Sequence, residues 1–527
     1  MVSYSETPFH VQLLNAAEEY GSRVALTDSD SGENLSFTAF REKSLRLAEA
    51  FRSLCGLQKG DRILVVLPNR IQFPVVFVAG ALLGCPISAV SNDSSEEELI
   101  RDVEVVKPMA IVTESDSFRT AVAERFPANR VVVLHKTEGQ RGSDFEAIIA
   151  ETEPLEIGAI LALDDVLIAP LSSGTSGPQK CVLLTHRNYN CATSILKQAV
   201  FDELSSSHGP RTTIAVLPFH HGSGFWALCY CLLEGHHSVV MPRFHPVLMF
   251  HCVEEYRVDT LNLVPTIVGF LCKYADRASQ WDLSSVRTIL CGSAPLGKEL
   301  SETFLRTFPN VTNLLQVSGY GMTEVVVLSH MTPLNLQGKK AEHLGSCGRL
   351  LPGFEAKIVD ADSGEEKTAP NEKGELWLRS DAIMKGYLED AEATEKTVDA
   401  DGWLHTGDVV FYDDEGFYYV VDRLKDLIKV NGMQVSPSEI EDVLMLHENV
   451  VEAAVIGIAD EHSGEAPKAF VVLKDASGGV DEIAEFAKEK LAPHKYMRGG
   501  IEVLEEMPKS SSGKTLHRVL RERIGKQ

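Results

Sequence analysis

Residues 171–182 read Leu-Ser-Ser-Gly-Thr-Ser-Gly-Pro-Gln-Lys-Cys-Val and carry the parts of an anion grip. Ser172, Ser173, Thr175 and Ser176 supply hydroxyl donors and Lys180 a charge. Gly174 and Gly177 let the backbone turn tightly, so that its N–H groups approach a polyphosphate. The stretch is not a Walker A loop, which needs Gly, four residues and Gly-Lys-Ser/Thr; here Lys180 follows Gln179 and precedes Cys181. Clusters of Ser, Gly and Thr are also ordinary turn punctuation, so this stretch alone leaves a surface turn open. Three more polar stretches add to it. Pro218-Phe219-His220-His221-Gly222 and Gly319-Tyr320-Gly321-Met322-Thr323-Glu324 each follow an apolar run, and Trp403-Leu404-His405-Thr406-Gly407-Asp408 precedes the strand-like residues 409–412. A carboxylate such as Asp408, fixed beside a glycine turn, can accept hydrogen bonds from two vicinal hydroxyls, which suits a ribose. Tyr320 offers a flat face to a purine, and Glu324 can hold a magnesium ion that bridges phosphate oxygens. Each stretch alone also reads as a plain loop or core segment; the set in this order points to a nucleotide.

Those stretches need strand ends to sit on. Residues 166–170 form a short apolar run, so the 171–182 loop leaves a strand, the place where α/β folds put phosphates. Leu45, Ala48, Phe51 and Leu54 fall at helical spacing, and strand-like runs follow at 62–67 and 110–112 with a helix after Asn69 between them. The pattern repeats at 212–217, 238–241, 260–264 and 288–290, which predicts an α/β fold with a parallel sheet. Residues 73–90 are the longest apolar run. Pro74, Gly80, Gly84 and Pro86 interrupt it, so it reads as a buried helix turning into a strand, not a membrane span.

The chain has 527 residues with 44% hydrophobic content, enough for more than one domain with a sizeable core. A formal net charge of -25 argues against nucleic acid or an anionic membrane as partner. The ten cysteines lack paired metal-ligand spacing, which suggests reduced thiols and no zinc site. Residues 1–10 lack the apolar core of a signal peptide, and the final Gly525-Lys526-Gln527 is not the Ser-Lys-Leu address, so a cytoplasmic location is expected, or a peroxisomal one if such an address has been trimmed.

Near the C-terminus, Asp422-Arg423-Leu424-Lys425-Asp426 is a charged break between apolar runs. Ser436-Pro437-Ser438-Glu439 has the form of a capping box with proline at the first helical position, followed by Ile440, Val443 and Leu444 on one face. Strand patterns at 453–458 and 469–473, then a helix with Ile483, Phe486 and Leu491 in register, complete an α+β unit of about a hundred residues.

Taken together these stretches resemble the adenylate-forming superfamily: acyl-CoA synthetases, 4-coumarate-CoA ligases, beetle luciferases and the adenylation domains of peptide synthetases. The resemblance spans nearly the whole chain and rests on 171–182, 218–222, 319–324, 405–408, 421–441 and 508–520. The 4-coumarate-ligase and luciferase branch is nearest, through His220-His221 before Gly222, Cys291-Gly292-Ser293-Ala294-Pro295-Leu296, and the run from Gly402 to Asp408. Gln179-Lys180-Cys181 replaces the usual Pro-Lys-Gly, a change that would stiffen or reposition the loop while keeping its lysine.

The resemblance implies a large N-terminal domain of stacked, mostly parallel sheets with helices (1–423) and a small mobile C-terminal α+β domain (424–527), hinged at Lys425. It implies a two-step reaction: a carboxylate attacks the α-phosphorus of ATP and releases pyrophosphate, then the thiol of coenzyme A attacks the acyl adenylate. The cofactors implied are ATP, magnesium and coenzyme A as co-substrate. Lys514, in Pro508-Lys509-Ser510-Ser511-Ser512-Gly513-Lys514, matches the catalytic lysine; by itself it reads as an exposed lysine. His221 would gate the site and orient charge; by itself it also reads as a core histidine. Thr175 and Glu324 would act in catalysis as metal ligands. The nucleotide would meet Ser172, Ser173, Gly174, Thr175, Ser176, Gly177 and Lys180 in the first loop. It would also meet Gly292, Ser293, Ala294 and Pro295, then Gly319, Tyr320, Gly321, Met322 and Thr323. Asp408, Val420, Arg423 and Lys514 would complete that site.

By the same resemblance the acyl wall comprises His221, Gly222, Ser223, Phe225, Val264, Gly292, Val317, Gly319 and Val325. Most of these side chains are small or apolar, which favours an uncharged tail, aromatic or aliphatic. Peptide-synthetase domains carry an aspartate where His220 and His221 stand, so amino acids are not the expected substrates. Lys425, Lys429, Gly432, Met433 and Gln434 would form the coenzyme A channel after the small domain rotates. Two alternatives share these residues: a luciferase-like oxygenase acting through an acyl adenylate, and a non-catalytic nucleotide-binding module. The joint presence of Thr175, Glu324, Asp408, Arg423 and Lys514 argues against the second.

Overall fold

The computed structural model of the chain describes residues 2–114, 122, 124–138, 140–157, 161–172, 179–202, 210–292, 298–311, 313–316, 319–333, 345–460, 462–475, 479–509 and 515–524. They fold as two compact units. The first comprises Met1–Ser172, Lys180–Glu355 and Arg379–Glu395; the second is formed chiefly by Ala356–Leu378 and Lys396–Gln527.

Two sheets organise the first unit. One has seven strands in the order Asn313–Gln316, Thr288–Cys291, Thr260–Leu263, Thr212–Ala215, His237–Val240, Val24–Asp28 and Asn34–Ser36. Every neighbouring pair is parallel except the last. The other has eight, in the order Gly386–Tyr387, Val182–Thr185, Val166–Ile168, Ile87–Val90, Ile63–Val66, Ala110–Thr113, Val131–Val133 and Ser143–Asp144. It is parallel from Val166–Ile168 onward and antiparallel at its first two joins. Ile63, Leu64, Val65 and Val66 are all fully buried, because helices cover both faces of a parallel strand and select an unbroken apolar run.

The 73–90 stretch is a helix, Phe73–Leu83, ending on the left-handed Gly84 and leading into strand Ile87–Val90. Apolar all round, the helix is buried on every side and packs against helix Phe37–Ser53. The latter buries Leu45, Ala48 and Phe51, but Leu54 lies one residue beyond its end and is exposed, since the apolar spacing outruns the helix.

The second unit holds a five-stranded sheet ordered Glu366–Lys367, Glu355–Val359, Gly374–Arg379, Leu404–Tyr412 and Tyr418–Arg423. A second sheet is ordered Met433–Val435, Ile428–Val430, Gly464–Leu473 and Val450–Asp460, with Ile501–Val503 parallel to Gly464–Leu473. Helices Pro437–Met445 and Val480–Lys490 close a core of Val430, Val435, Ile440, Leu444, Val455 and Ile483. Helix His517–Ile524 places Leu520 against Ile456 and Phe470. Ser436 caps helix Pro437–Met445 by accepting from the Glu439 N–H at 3.3 Å. The capping box is only half formed, because the Glu439 carboxylate pairs with Lys495 instead. No described helix is long and apolar enough to cross a membrane. All ten cysteines are free thiols.

Candidate active site

The parallel order of the seven-stranded sheet brings distant polar stretches to one edge. Thr212–Ala215, Thr260–Leu263, Thr288–Cys291 and Asn313–Gln316 run the same way, so the residues that follow them leave from the same side. Those residues are 218–222, Val264, Gly292 and Gly319, and this is the edge where open α/β sheets bind ligands.

The base of the 171–182 loop is closed by two rungs. Ser172 N–H donates to the Lys180 carbonyl at 2.8 Å, and Lys180 N–H donates to Ser172 Oγ at 2.9 Å. Leu171 and Cys181 form a β-bridge just outside them. The Cys181 side chain is 2% exposed and its thiol faces the Ala169 carbonyl, so the residue that replaces a glycine anchors the base of the loop in the core. Burial pushes that thiol up to about 11, which keeps it protonated. Ser173, Gly174, Thr175, Ser176, Gly177, Ser293, Ala294, Pro295, Val317 and Lys514 lie outside the described residues.

His221 sits at the N-cap of helix Gly222–Leu233, with its N–H donating to the Pro218 carbonyl at 3.1 Å. The helix start packs tightly on that loop: a β-carbon at Gly224 would stand 2.3 Å from the Pro218 carbonyl oxygen. The His220 and His221 rings lie 4.6 Å apart. Burial, with His221 adding to it, lowers the His220 pKa to about 3, so this imidazole is neutral. His220, His221, Gly222 and Phe225 line a cavity together with Ile168, Leu184, Phe219, Thr323 and Val326. Phe225 reaches past it into the core, meeting Phe77 edge to face at 4.8 Å. Ser223 is exposed, and Val325 is fully buried.

One positioning residue went unseen in the sequence. Asn69, 5% exposed, donates from Nδ2 to the Ala215 and Leu217 carbonyls at 3.3 and 3.0 Å, and its Oδ1 accepts from the Phe219 N–H at 2.9 Å. It therefore pins the loop that carries both histidines to a neighbouring strand end. A lone Asn-Arg after an apolar strand gives no local signal of a contact so distant in sequence.

Strand Gly319–Tyr320 pairs with His330–Met331, and the chain between them folds back so that Glu324 is buried. Tyr320 stands edge-on to His330, with ring centroids 5.8 Å apart. Glu324 is 6% exposed; its Oε1 accepts from the Tyr387 hydroxyl at 2.9 Å, and its carbonyl accepts from Met384 N–H at 2.8 Å. Among the described residues it makes no ion pair. A buried carboxylate without a basic partner costs several kcal/mol unless a cation joins it, so Glu324 fits a divalent ion. Lys180 Nζ lies 4.5 Å from the centre of the Tyr387 ring.

In the second unit Arg423 Nε meets Asp408 Oδ1 at 3.2 Å. The run from His405 to Asp408 lies inside strand Leu404–Tyr412, not in a turn before it. Gly407 takes φ +70, and against strand Gly374–Arg379 the register shifts between Glu375, paired with Val409, and Trp377, paired with His405, so residues 406–408 bulge opposite Leu376 and let glycine and aspartate sit within a strand. Val420, on strand Tyr418–Arg423, is 42% exposed. Lys429 and Gln434 stand opposite each other across a tight hairpin whose Asn431 and Gly432 both have positive φ. An Asn-Gly pair between two apolar runs is a hairpin signal, so this turn is legible in the sequence. Lys429, Met433 and Gln434 are exposed, while Ile428, Val430 and Val435 are buried. Lys425 is exposed.

The model of the AMP-binding enzyme family matches residues 13–388, and that of the AMP-binding enzyme C-terminal domain matches 439–514. The chain belongs to the AMP-binding enzyme family. A luciferin 4-monooxygenase of Photuris pensylvanica is 34% identical over 549 residues, covering 100% of this chain and 98% of that protein. A 4-coumarate--CoA ligase 5 of Oryza sativa subsp. japonica is 35% identical over 522 residues, covering 98% and 94%. Among solved structures, the o-succinylbenzoate CoA synthetase of Bacillus subtilis in complex with its acyl-adenylate intermediate superposes with a TM-score of 0.80 at 28% identity, over 97% of each chain. This likeness runs through both units, so the chain is an adenylate-forming enzyme of α/β architecture with a large N-terminal and a small C-terminal part.

Proposed function

We propose that the protein is an ATP-dependent acid–thiol ligase that converts a hydrophobic carboxylic acid to its acyl adenylate and then to its coenzyme A thioester. The observation that carries this reading is the buried Glu324, which meets Tyr387 as Lys180 does and makes no ion pair among the described residues, in a family whose Bacillus subtilis relative was solved with an acyl adenylate and, separately, with ATP and magnesium ion. Lys180 would take the phosphate chain, and Glu324 with Thr175 would hold magnesium. A divalent cation held there would draw negative charge off the phosphate oxygens as pyrophosphate leaves.

The chemistry brings a carboxylate anion to a polyanion, so charge must be offset by fixed cations and donors. His221, on a loop pinned by Asn69, would orient the acid. Asp408 and Arg423 would hold the ribose hydroxyls, with Tyr320 against the purine. Lys514 would meet the carboxylate and α-phosphate as charge shifts between them. Rotation of 424–527 about Lys425 would then exchange Lys514 for the 428–435 hairpin, and Lys429 and Gln434 would line the thiol path. The apolar cavity wall of Ile168, Leu184, Phe219, Phe225 and Val326 supports an uncharged tail, aliphatic or aryl.

The test is acid-dependent exchange of pyrophosphate into ATP over aliphatic acids of increasing length and hydroxycinnamates. Exchange with at least one hydrophobic acid is expected; a flat response across the panel would overturn the reading. The whole-chain likeness to the Photuris enzyme supports a second reading, oxygenation of the adenylate. Supplying coenzyme A and oxygen in separate arms decides between thioester and oxidised product.

A further inference from the structure

Tyr387 stands on the short edge strand Gly386–Tyr387, which pairs antiparallel with Val182 and Leu183 just after the phosphate loop. It is fixed from several sides: its N–H donates to Thr394 Oγ1 at 2.9 Å, and the side chain is largely buried. Its ring carries the Lys180 ammonium at 4.5 Å from the centroid, and its hydroxyl donates to Glu324 Oε1 at 2.9 Å. One side chain thus touches a cation and an anion that make no ion pair among the described residues. A lysine and a buried carboxylate this close to a common neighbour would gain by pairing with each other, and each would then be lost to a ligand. An aromatic face attracts the ammonium without neutralising it, and a phenol hydrogen bond orients the carboxylate without consuming its charge.

The geometry points to Tyr387 as a positioning residue that spaces Lys180 from Glu324, keeping the ammonium available to nucleotide phosphate and the carboxylate available to the divalent cation. This rests on the nucleotide reading of the site given above. It separates the two contributions of the residue: the ring acts on Lys180, the hydroxyl on Glu324.

The experiment measures ATP binding by calorimetry to wild type, Tyr387→Phe and Tyr387→Leu, each with magnesium and with a chelator, alongside urea midpoints. Tyr387→Phe keeps the spacer and the fold. It is expected to bind ATP as wild type does in chelator but to need about tenfold more magnesium for half-maximal enhancement, the size of a lost hydrogen bond to a charged group. Tyr387→Leu is expected to weaken ATP binding in chelator as well, by about tenfold, because Lys180 is then free to pair with Glu324. An unchanged magnesium requirement in Tyr387→Phe would overturn the spacer role even if Tyr387→Leu does not fold, and equal weakening of two folded variants in chelator would overturn it as well. A wild type that binds no ATP under either condition would overturn the nucleotide reading itself, and this inference with it.

Discussion

A β-carbon built on Gly321 would stand 1.8 Å from the carbonyl oxygen of Val327. The segment that carries Glu324 folds back on the strand it leaves, and only a residue without a side chain lets the two backbones approach. Gly321→Ala is therefore expected to displace residues 322–327, lowering stability by about 2–3 kcal/mol and weakening ATP binding. Gly269, inside helix Pro265–Lys273, is the control: a β-carbon there meets nothing within 4 Å. Gly269→Ala should raise stability by about 0.5–1 kcal/mol and leave ATP binding alone. Urea unfolding and calorimetry read both; a mild Gly321→Ala would show that the loop tolerates opening.

Asn69 offers a second point of leverage. Asn69→Asp keeps the acceptor for Phe219 N–H but turns a carboxylate toward the Ala215 and Leu217 carbonyls, which accept and cannot donate. Asn69→Ala removes both roles. The expected order of stability is wild type, then Ala, then Asp, with the Asp variant down by about 2–3 kcal/mol. If the histidine loop depends on this anchor, pyrophosphate exchange in both variants should show a raised KM for the acid and a smaller change in KM for ATP. Equal changes for both substrates would mean that Asn69 supports the fold alone.

Glu441 sets a pH dependence in the second unit. Burial raises its pKa to about 7, the Val455 N–H opposes that, and Asp422, Asp442 and Asp426 add to it; His517 Nε2 faces it at 3.8 Å. The folded chain thus holds a proton up to about pH 7 that the unfolded chain releases near 4.5. The stabilisation is full below pH 4.5 and is lost as pH rises through 7. Glu441→Gln keeps an oxygen for the Val455 N–H and removes the titration. Wild type should lose about 2–3 kcal/mol relative to this variant between pH 5 and 8 in urea unfolding. A difference that does not vary with pH would place the carboxyl in water.

Where the sequence was legible, it was because covering both faces of a strand or all sides of a helix leaves a mark that one window of residues can carry. Residues 62–67 and 73–90 are cases: strand Ile63–Val66, helix Phe73–Leu83 and strand Ile87–Val90 stand where apolar runs placed them. The stretches that carry His221 and Gly319 were placed after apolar runs by the same logic. What escaped were features set by long-range contact. Asn69 holds a loop some 150 residues on, and Tyr387 meets Glu324 and Lys180 from a two-residue strand with no period to betray it. The 403–408 segment was read as preceding its strand; glycine and aspartate disfavour strands, and a bulge of residues 406–408 against strand Gly374–Arg379 accommodates them.

Val326 combines a backbone cost with a place on the cavity wall. It has φ +69 and ψ −60, and Val327 N–H closes a three-residue turn onto the Val325 carbonyl at 2.9 Å. A β-branched residue in that region carries about 1–3 kcal/mol of strain. The packing around it must supply that energy, and Val326 is 2% exposed beside Phe219, Phe225 and His221. Removing methyl groups and removing strain can be told apart. Val326→Ala loses apolar contact and keeps a β-carbon at positive φ; Val326→Gly loses slightly more contact but frees the backbone. In most settings glycine is the less stable of the two by about 0.5–1 kcal/mol. Here the order should reverse, with Val326→Gly more stable than Val326→Ala by about 1 kcal/mol in urea unfolding, while both variants enlarge the cavity and move the exchange optimum toward bulkier acids. An alanine variant as stable as the glycine one would mean that the turn stores no strain, and an unmoved acid optimum would mean that Val326 does not bound the acyl tail.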